Sequence, residues 1–172
     1  MNTAMAQPMT ETPQERLAAI LDSHQPRSIV SVSLNPIPVV SQWCKDHDCE
    51  LIEIQEQNPF KALEDIQRID MAIVADQLEY MTHQEGEALM GLLRNLHTDS
   101  VVAVYQPALA PQKLRWPSNG FLALGCRQQG HFAQDGRSLD IYSYDLDDYN
   151  FQRNWNNPRF WANPENWGKY WW

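Results

Sequence analysis

RIDMAIVADQLEYMTHQEGEALMGLLRNLHTDSVVAVYQ, residues 68–106, decides the fold, and it reads as one βαβ unit. Ile69, Met71, Ile73 and Val74 form a short apolar run that ends at Ala75-Asp76. Thr82-His83-Gln84-Glu85 has the spacing of a capping box, in which the Thr hydroxyl accepts from the Glu85 amide and the Glu85 carboxylate reaches back. Leu89, Leu92, Leu93 and Leu96 recur at i, i+3, i+4 and i+7, which predicts one apolar stripe on one helix. His97 to Ser100 breaks the pattern, and Val101 to Tyr105 is a second buried strand. Two parallel strands joined by a helix imply an α/β sheet covered on both faces.

The flanking sequence extends the alternation. Thr12-Pro13-Gln14-Glu15 is a second capping box, with Pro13 at a first-turn position where its missing amide does no harm. Leu17, Ile20 and Leu21 give that helix its buried stripe. Ser28 to Ser33 and Leu51 to Ile54 read as strands. A helix through Val39, Val40, Trp43 and Cys44 is expected between them, capped by Asn35. Asn58-Pro59 opens another, with Phe60, Leu63 and Ile66 inward. After the βαβ unit, Pro107 to Pro117 is a proline-punctuated loop containing Trp116, and Phe121 to Gly125 a short helix closed by its glycine. Cys126 to Phe132 and Ser138 to Leu146 read as antiparallel strands joined through Gln134-Asp135-Gly136, a hairpin signal. The loose alternation of Leu139, Ile141 and Tyr142 predicts that the second of these lies at the sheet edge. The expected organisation is an N-terminal arm at 1–11, an α/β domain at 12–150 and an aromatic tail at 151–172. That tail holds Trp155, Trp161, Trp167, Trp171 and Trp172, five of the seven tryptophans, and is expected to pack on the domain because so large an apolar patch is poorly tolerated in water.

Composition narrows the function classes. A chain of 172 residues suits one domain, 43% of it is hydrophobic, and the formal charge is −9. That charge disfavours a nucleic-acid binder held by phosphate contacts. Three cysteines, with no CxxC pair, fit reduced thiols in the cytoplasm. No apolar run reaches the ~18 residues of a membrane span.

The order of elements resembles the class I S-adenosylmethionine-dependent methyltransferase fold, a Rossmann-like, mostly parallel sheet with an antiparallel C-terminal hairpin. The resemblance covers roughly Leu17 to Leu146. Asp70-Met71-Ala72-Ile73-Val74-Ala75-Asp76-Gln77-Leu78-Glu79-Tyr80-Met81 is similar to the family's fourth strand, which commonly ends in an Asp and a Leu-Glu-His-like turn. Leu124-Gly125-Cys126 resembles the "LGF" that enters its closing hairpin. The Trp-rich tail points to a small bacterial family of this fold.

Two departures carry functional weight. In the family the first strand ends in an acidic residue and a Gly-x-Gly turn, where the backbone approaches the cofactor. The corresponding turn here, Ser31 to Pro38, has neither an acid nor a glycine, and Pro36 and Pro38 have replaced two amide donors. The connection from Gln55 to Arg68 holds one helix of about two turns, so the family's third strand, and the acidic residue after it, are expected to be missing.

Candidate ligand-binding residues follow from this frame. The resemblance places Glu53 near the ribose-holding position after the second strand. Asp76, Glu79, Tyr80 and His83 cluster where a doubly wound sheet opens at its carboxyl ends; against this stands their reading as solvated turn residues and a helix's first turn. Cys44, His47 and Cys49, with Cys126 or His131, match no common zinc spacing, so no metal is expected. Asp145, Asp147 and Asp148 lack the glycine and terminal Glu of a calcium loop. The reading is a methyltransferase-like pseudoenzyme that has lost S-adenosylmethionine, takes no cofactor and acts as a binding or scaffolding protein, with an unknown protein partner or by self-association. The alternatives are an active or ligand-binding relative with a remodelled crevice near Asp76 and Glu79, and an interface protein whose tail meets membrane or cell-wall material.

Overall fold

Thr12 opens the first helix with both halves of its capping box in place. In the computed structural model, which describes residues 10–149, the Glu15 amide donates to its hydroxyl at 3.2 Å and its own amide to the Glu15 carboxylate at 2.7 Å, which satisfies two otherwise orphaned donors. The helix, α1 (Pro13–His24), buries Leu17, Ile20 and Leu21. β1 (Ser28–Val32), α2 (Pro38–Asp46), β2 (Glu50–Ile54), α3 (Phe60–Glu64) and β3 (Met71–Ala75) follow. α4 (His83–Leu92) leads to β4 (Ser100–Tyr105), and α5 (Gly120–Ala123) to a hairpin of β5 (Arg127–Gln134) and β6 (Arg137–Asp145). α6 (Leu146–Tyr149) ends the described part. The tail at 151–172 and its expected packing lie outside the described residues, as does most of the N-terminal arm. No described helix is long and apolar enough to cross a membrane.

The six strands form one sheet in the order β2-β1-β3-β4-β6-β5. Its first four strands are parallel and the hairpin runs antiparallel to β4. Among the described residues the connection from Ile54 to Met71 holds only α3, five residues long and so shorter than the two turns expected. The third strand of the methyltransferase sheet is therefore absent there and β2 is an edge. β1, β3 and β4 are nearly continuous runs of buried residues because helices cover both their faces. On one face Val30, Val74, Leu89, Leu93 and Phe121 pack together. On the other, Ile29, Ile73 and Val102 meet Leu21 of α1 and Val40 and Trp43 of α2.

Three local expectations need correction. Asn35 does not cap α2: the helix starts at Pro38 after an extended Ile37 with no side-chain cap, because a residue before proline is pushed out of the helical region. Leu96 does not join the apolar stripe and is 65% exposed. A π-helical turn at Leu93–His97 inserts an extra residue into the helical period, so Leu93 stays inside and His97, rather than Leu96, is buried. β6 is not an edge strand but lies between β4 and β5. Its alternation is loose because both its faces are covered, Leu139 and Ile141 toward α1 and Tyr142 and Tyr144 toward the opposite layer. The hairpin turn itself is as expected, with Asp135 and Gly136 both at positive φ (51° and 76°), the mark of a type I′ turn.

Two glycines of α4 make a paired test of this packing. A Cβ on Gly86 would stand 2.6 Å from Trp116 Cζ2 and 3.3 Å from Leu78 Cδ2, whereas one on Gly91 meets nothing within 4 Å. Gly86→Ala is expected to lose about 1–3 kcal/mol of stability through overpacking, even against the alanine gain in helix propensity. Gly91→Ala should gain about 0.5–1 kcal/mol from that propensity alone. Urea denaturation of the two variants checks the contrast; equal effects would mean that Trp116 is not held against α4.

Candidate functional site

β3 ends in a sharp reversal that builds the centre of the site. Asp76 takes a left-handed conformation (φ 48°), and Leu78–Tyr80 form one 3₁₀ turn before Thr82 caps α4. Leu78 is 1% exposed and pins this turn to the core. Thr82 and Glu85 form the expected capping box, each holding the other's amide.

The carboxylate of Glu79 is completely buried. One oxygen accepts from the Gln106 amide at 2.8 Å and the other from the Gln77 amide at 3.0 Å. Burial pushes its pKa above the usual carboxylate value, while the amides of Gln106, Glu79 itself and Gln77 pull it back and the Asp76 charge raises it further. Glu79 thus clasps the end of β3 to the end of β4. It is neither a solvated turn residue nor exposed to a ligand.

Asp76 is held from across the crevice: the Asn35 side-chain amide, from the turn after β1, donates to its carboxylate. Partial burial, then the Asp76 charge, push the Tyr80 pKa up. Next along the chain, Gln77 is 1% exposed. Its Nε2 donates to the carbonyl oxygens of Glu56 and Gln57, at 3.2 and 3.1 Å. Asn35 and Gln77 therefore tie the loops after β1 and β2 to the loop after β3.

Beside these ties lies a cleft of about 520 Å³ at the carboxyl ends of the parallel strands, the usual ligand crevice of such sheets. Leu34 contributes from the turn after β1; Gln57, Asn58 and Phe60 from the segment after β2; Gln77, Tyr80, Met81 and Glu85 from the far side. Of the sequence candidates, Tyr80 lines this cleft, and Asp76 lies beside it without lining it. Glu53 does not join them: it lines a separate depression with Ser41, Lys45 and Cys49 against α2. His83 does not line the cleft either. Its ring stands edge-on to Trp116 at 4.6 Å, 3.7 Å from the Glu87 carboxylate. Gln77 and Asn35 carried no signal a single sequence offers, since neutral amides at loop positions are common. Glu85 was visible only as a cap.

Among the described residues no three of His, Cys, Asp or Glu converge as a metal site. The His47 ring stacks on Trp43 at 4.0 Å. Burial raises the Cys44 thiol, and burial together with the adjacent Cys44 sulfur pushes Cys49 up to about 12. Thiols so hard to ionise are poor ligands and nucleophiles.

The fold is of the methyltransferase-like, Rossmann-like kind. Magnesium protoporphyrin IX methyltransferase from Synechocystis PCC 6803 with bound SAM has a similar structure: TM-score 0.52 and 12% identity, over 77% of this chain and 77% of that one. The same enzyme with bound SAH gives 0.51 and 12%, over 77% and 80%. An rRNA methylase from Escherichia coli gives 0.46 and 13%, over 75% of this chain; the match spans 61% of that protein. At these identities the likeness shows the fold alone. The family described as "Family of unknown function (DUF6231)" matches residues 11–172, and the chain belongs to it. No curated protein matches.

Proposed function

We propose that the protein is a methyltransferase-fold binding module that does not hold S-adenosylmethionine in the usual way and works by binding rather than by methyl transfer. The observation that carries this reading is the Asn35–Asp76 hydrogen bond, which bridges the crevice between the loops after β1 and β3. The donors of the first turn also point to it. The Ser33 amide is engaged by Ile54 O at 3.1 Å, while Pro36 and Pro38 have none. With no glycine between Ser31 and Pro38, these residues do not fit the cofactor's customary seat. The remaining cleft is large enough for a small ligand, and it is the binding site we assign. The net charge of −9 disfavours nucleic acid as the partner, and the unpaired cysteines, all free, suit the cytoplasm.

Isothermal titration with S-adenosylmethionine and S-adenosylhomocysteine tests the reading. The expected result is no saturable heat with either compound. Tight binding of one, displaced by the other, would return the protein to the cofactor-binding members of its fold.

A further inference from the structure

The end of α2 brings two cysteines together. The His47 amide donates to Trp43 O at 3.0 Å and the Cys49 amide to Cys44 O at 2.9 Å, and Asp48 between them takes a left-handed conformation (φ 53°). This is a Schellman-type ending, in which the third residue from the end of a helix and the second residue beyond it frequently touch. Apolar side chains commonly fill those two places; here they hold Cys44 and Cys49. The bond between their backbones and standard covalent geometry keep the two Cα atoms no more than about 6.8 Å apart, within the span a disulfide bridges. Both side chains line the depression against α2, and each sulfur acts on the ionisation of the other. Cys126 belongs to the hydrophobic layer on the other face of the sheet, so it does not compete. Access differs within the pair: Cys44 is 4% exposed, whereas Cys49 is half-buried.

We propose that Cys44 and Cys49 are a reversible oxidation site, closed by exchange with a small-molecule disulfide into a covalent link between the end of α2 and the start of β2. Cys49, the more open thiol, gives up its proton and attacks one sulfur of the small disulfide. That S–S bond breaks, a mixed disulfide forms on Cys49, and the first small thiolate leaves and takes up a proton. Cys44 then loses its proton, attacks the Cys49 sulfur and expels the second small thiol. Two protein thiols are oxidised and one small disulfide is reduced to two thiols. Cys44 needs no path to solvent, since its target is the sulfur beside it. Burial raises both thiols, Cys49 to about 12, which slows the first attack. It also leaves neither thiolate stabilised in the reduced protein, and this favours the closed form at equilibrium. The site is independent of the cleft and of its ligand.

The test is to equilibrate the full chain with oxidised and reduced glutathione at about pH 8.5, where an ordinary thiol is half ionised. Samples are quenched with acid, unfolded, alkylated and digested with trypsin. Cleavage after Lys45 parts the two cysteines into peptides 28–45 and 46–61. The link is read by mass as these two peptides joined, lighter than their sum by two hydrogen atoms. The joined pair should dominate in oxidised buffers and vanish in reduced glutathione, with Cys126 alkylated throughout. Its equilibrium constant should be on the order of tenfold or more higher in the folded chain than in concentrated urea, because the fold holds the sulfurs together. Cys44→Ala should trap glutathione on Cys49, and Cys49→Ser should leave Cys44 unmodified. Glutathione held on Cys49 of the unaltered protein without the joined pair would overturn the proposal. So would a link no more favoured in the folded chain than in urea, or ready capture of glutathione by Cys44 in the Cys49→Ser variant.

Discussion

Trp116→Ala is expected to destabilise the domain by about 3–5 kcal/mol, which at this chain length lowers the melting temperature by roughly 6–20 °C. Trp116 is 6% exposed although it sits in a loop between two prolines. Its ring stacks on Phe121 (4.4 Å, 16°), and Phe121 stacks in turn on Tyr142 of β6 (4.2 Å, 11°). Its backbone amide donates to the Tyr105 hydroxyl at 3.0 Å. Both Gly86 and Gly120 make room for it, since a Cβ there would approach the indole to 2.6 and 2.9 Å. The indole thus links α4, the end of β4, α5 and the hairpin. Its Nε1 has no hydrogen-bond partner among the described residues, so its contribution comes from apolar area and ring stacking. Trp116→Phe should accordingly recover much of the loss. Chemical denaturation followed by circular dichroism decides the matter. A loss below about 1 kcal/mol for the alanine variant would mean that the loop merely rests on the domain.

The position of that tryptophan shows which parts of the structure are legible in the sequence. Features determined within a few residues can be read directly. The capping boxes at Thr12 and Thr82, the Asp135-Gly136 turn and the strand runs at Ile29 and Val101 all form as expected. The connection from Gln55 to Arg68 was short enough to exclude a strand. Trp116 was opaque because a proline-rich loop has no periodicity from which to infer a buried side. The π turn at Leu93–His97 was opaque because an inserted residue leaves the leucine pattern intact while rotating it. At the site, carboxylates drew attention by their charge. Whether each meets solvent, a ligand or the backbone depended on distant partners. Asp76 is held by Asn35, far back in the chain, and Glu79 by the Gln106 amide at the end of another strand. Gln77 matters only because two carbonyls from the loop after β2 take its donors.

Glu79→Ala is expected to destabilise the protein by about 2–4 kcal/mol at neutral pH, since it leaves the Gln77 and Gln106 amides without their acceptor in a buried place. The same residue gives a pH dependence with a definite sign. Burial raises the Glu79 pKa above its ordinary value of 4.5 in the folded protein. From that value upward the folded state therefore keeps a proton that the unfolded chain has released. Stability falls with pH wherever the native state binds more protons. The Glu79 contribution is most favourable at or below pH 4.5, declines as pH rises through the folded-state value, and is constant beyond it. Glu79→Gln carries no titrating proton, and its amide accepts from only one of the two backbone donors, so its penalty does not change with pH. Urea unfolding of the native protein and this variant, from pH 4.5 upward, isolates the effect from every other carboxylate. The advantage of the native protein should shrink as pH rises. An advantage that grows instead would mean that the amide hydrogen bonds outweigh burial and hold Glu79 ionised. In either case the residue works through the turn it clasps: the amide it holds is that of Gln77, whose side chain lines the cleft. The alanine variant should therefore lose ligand binding in the cleft along with stability.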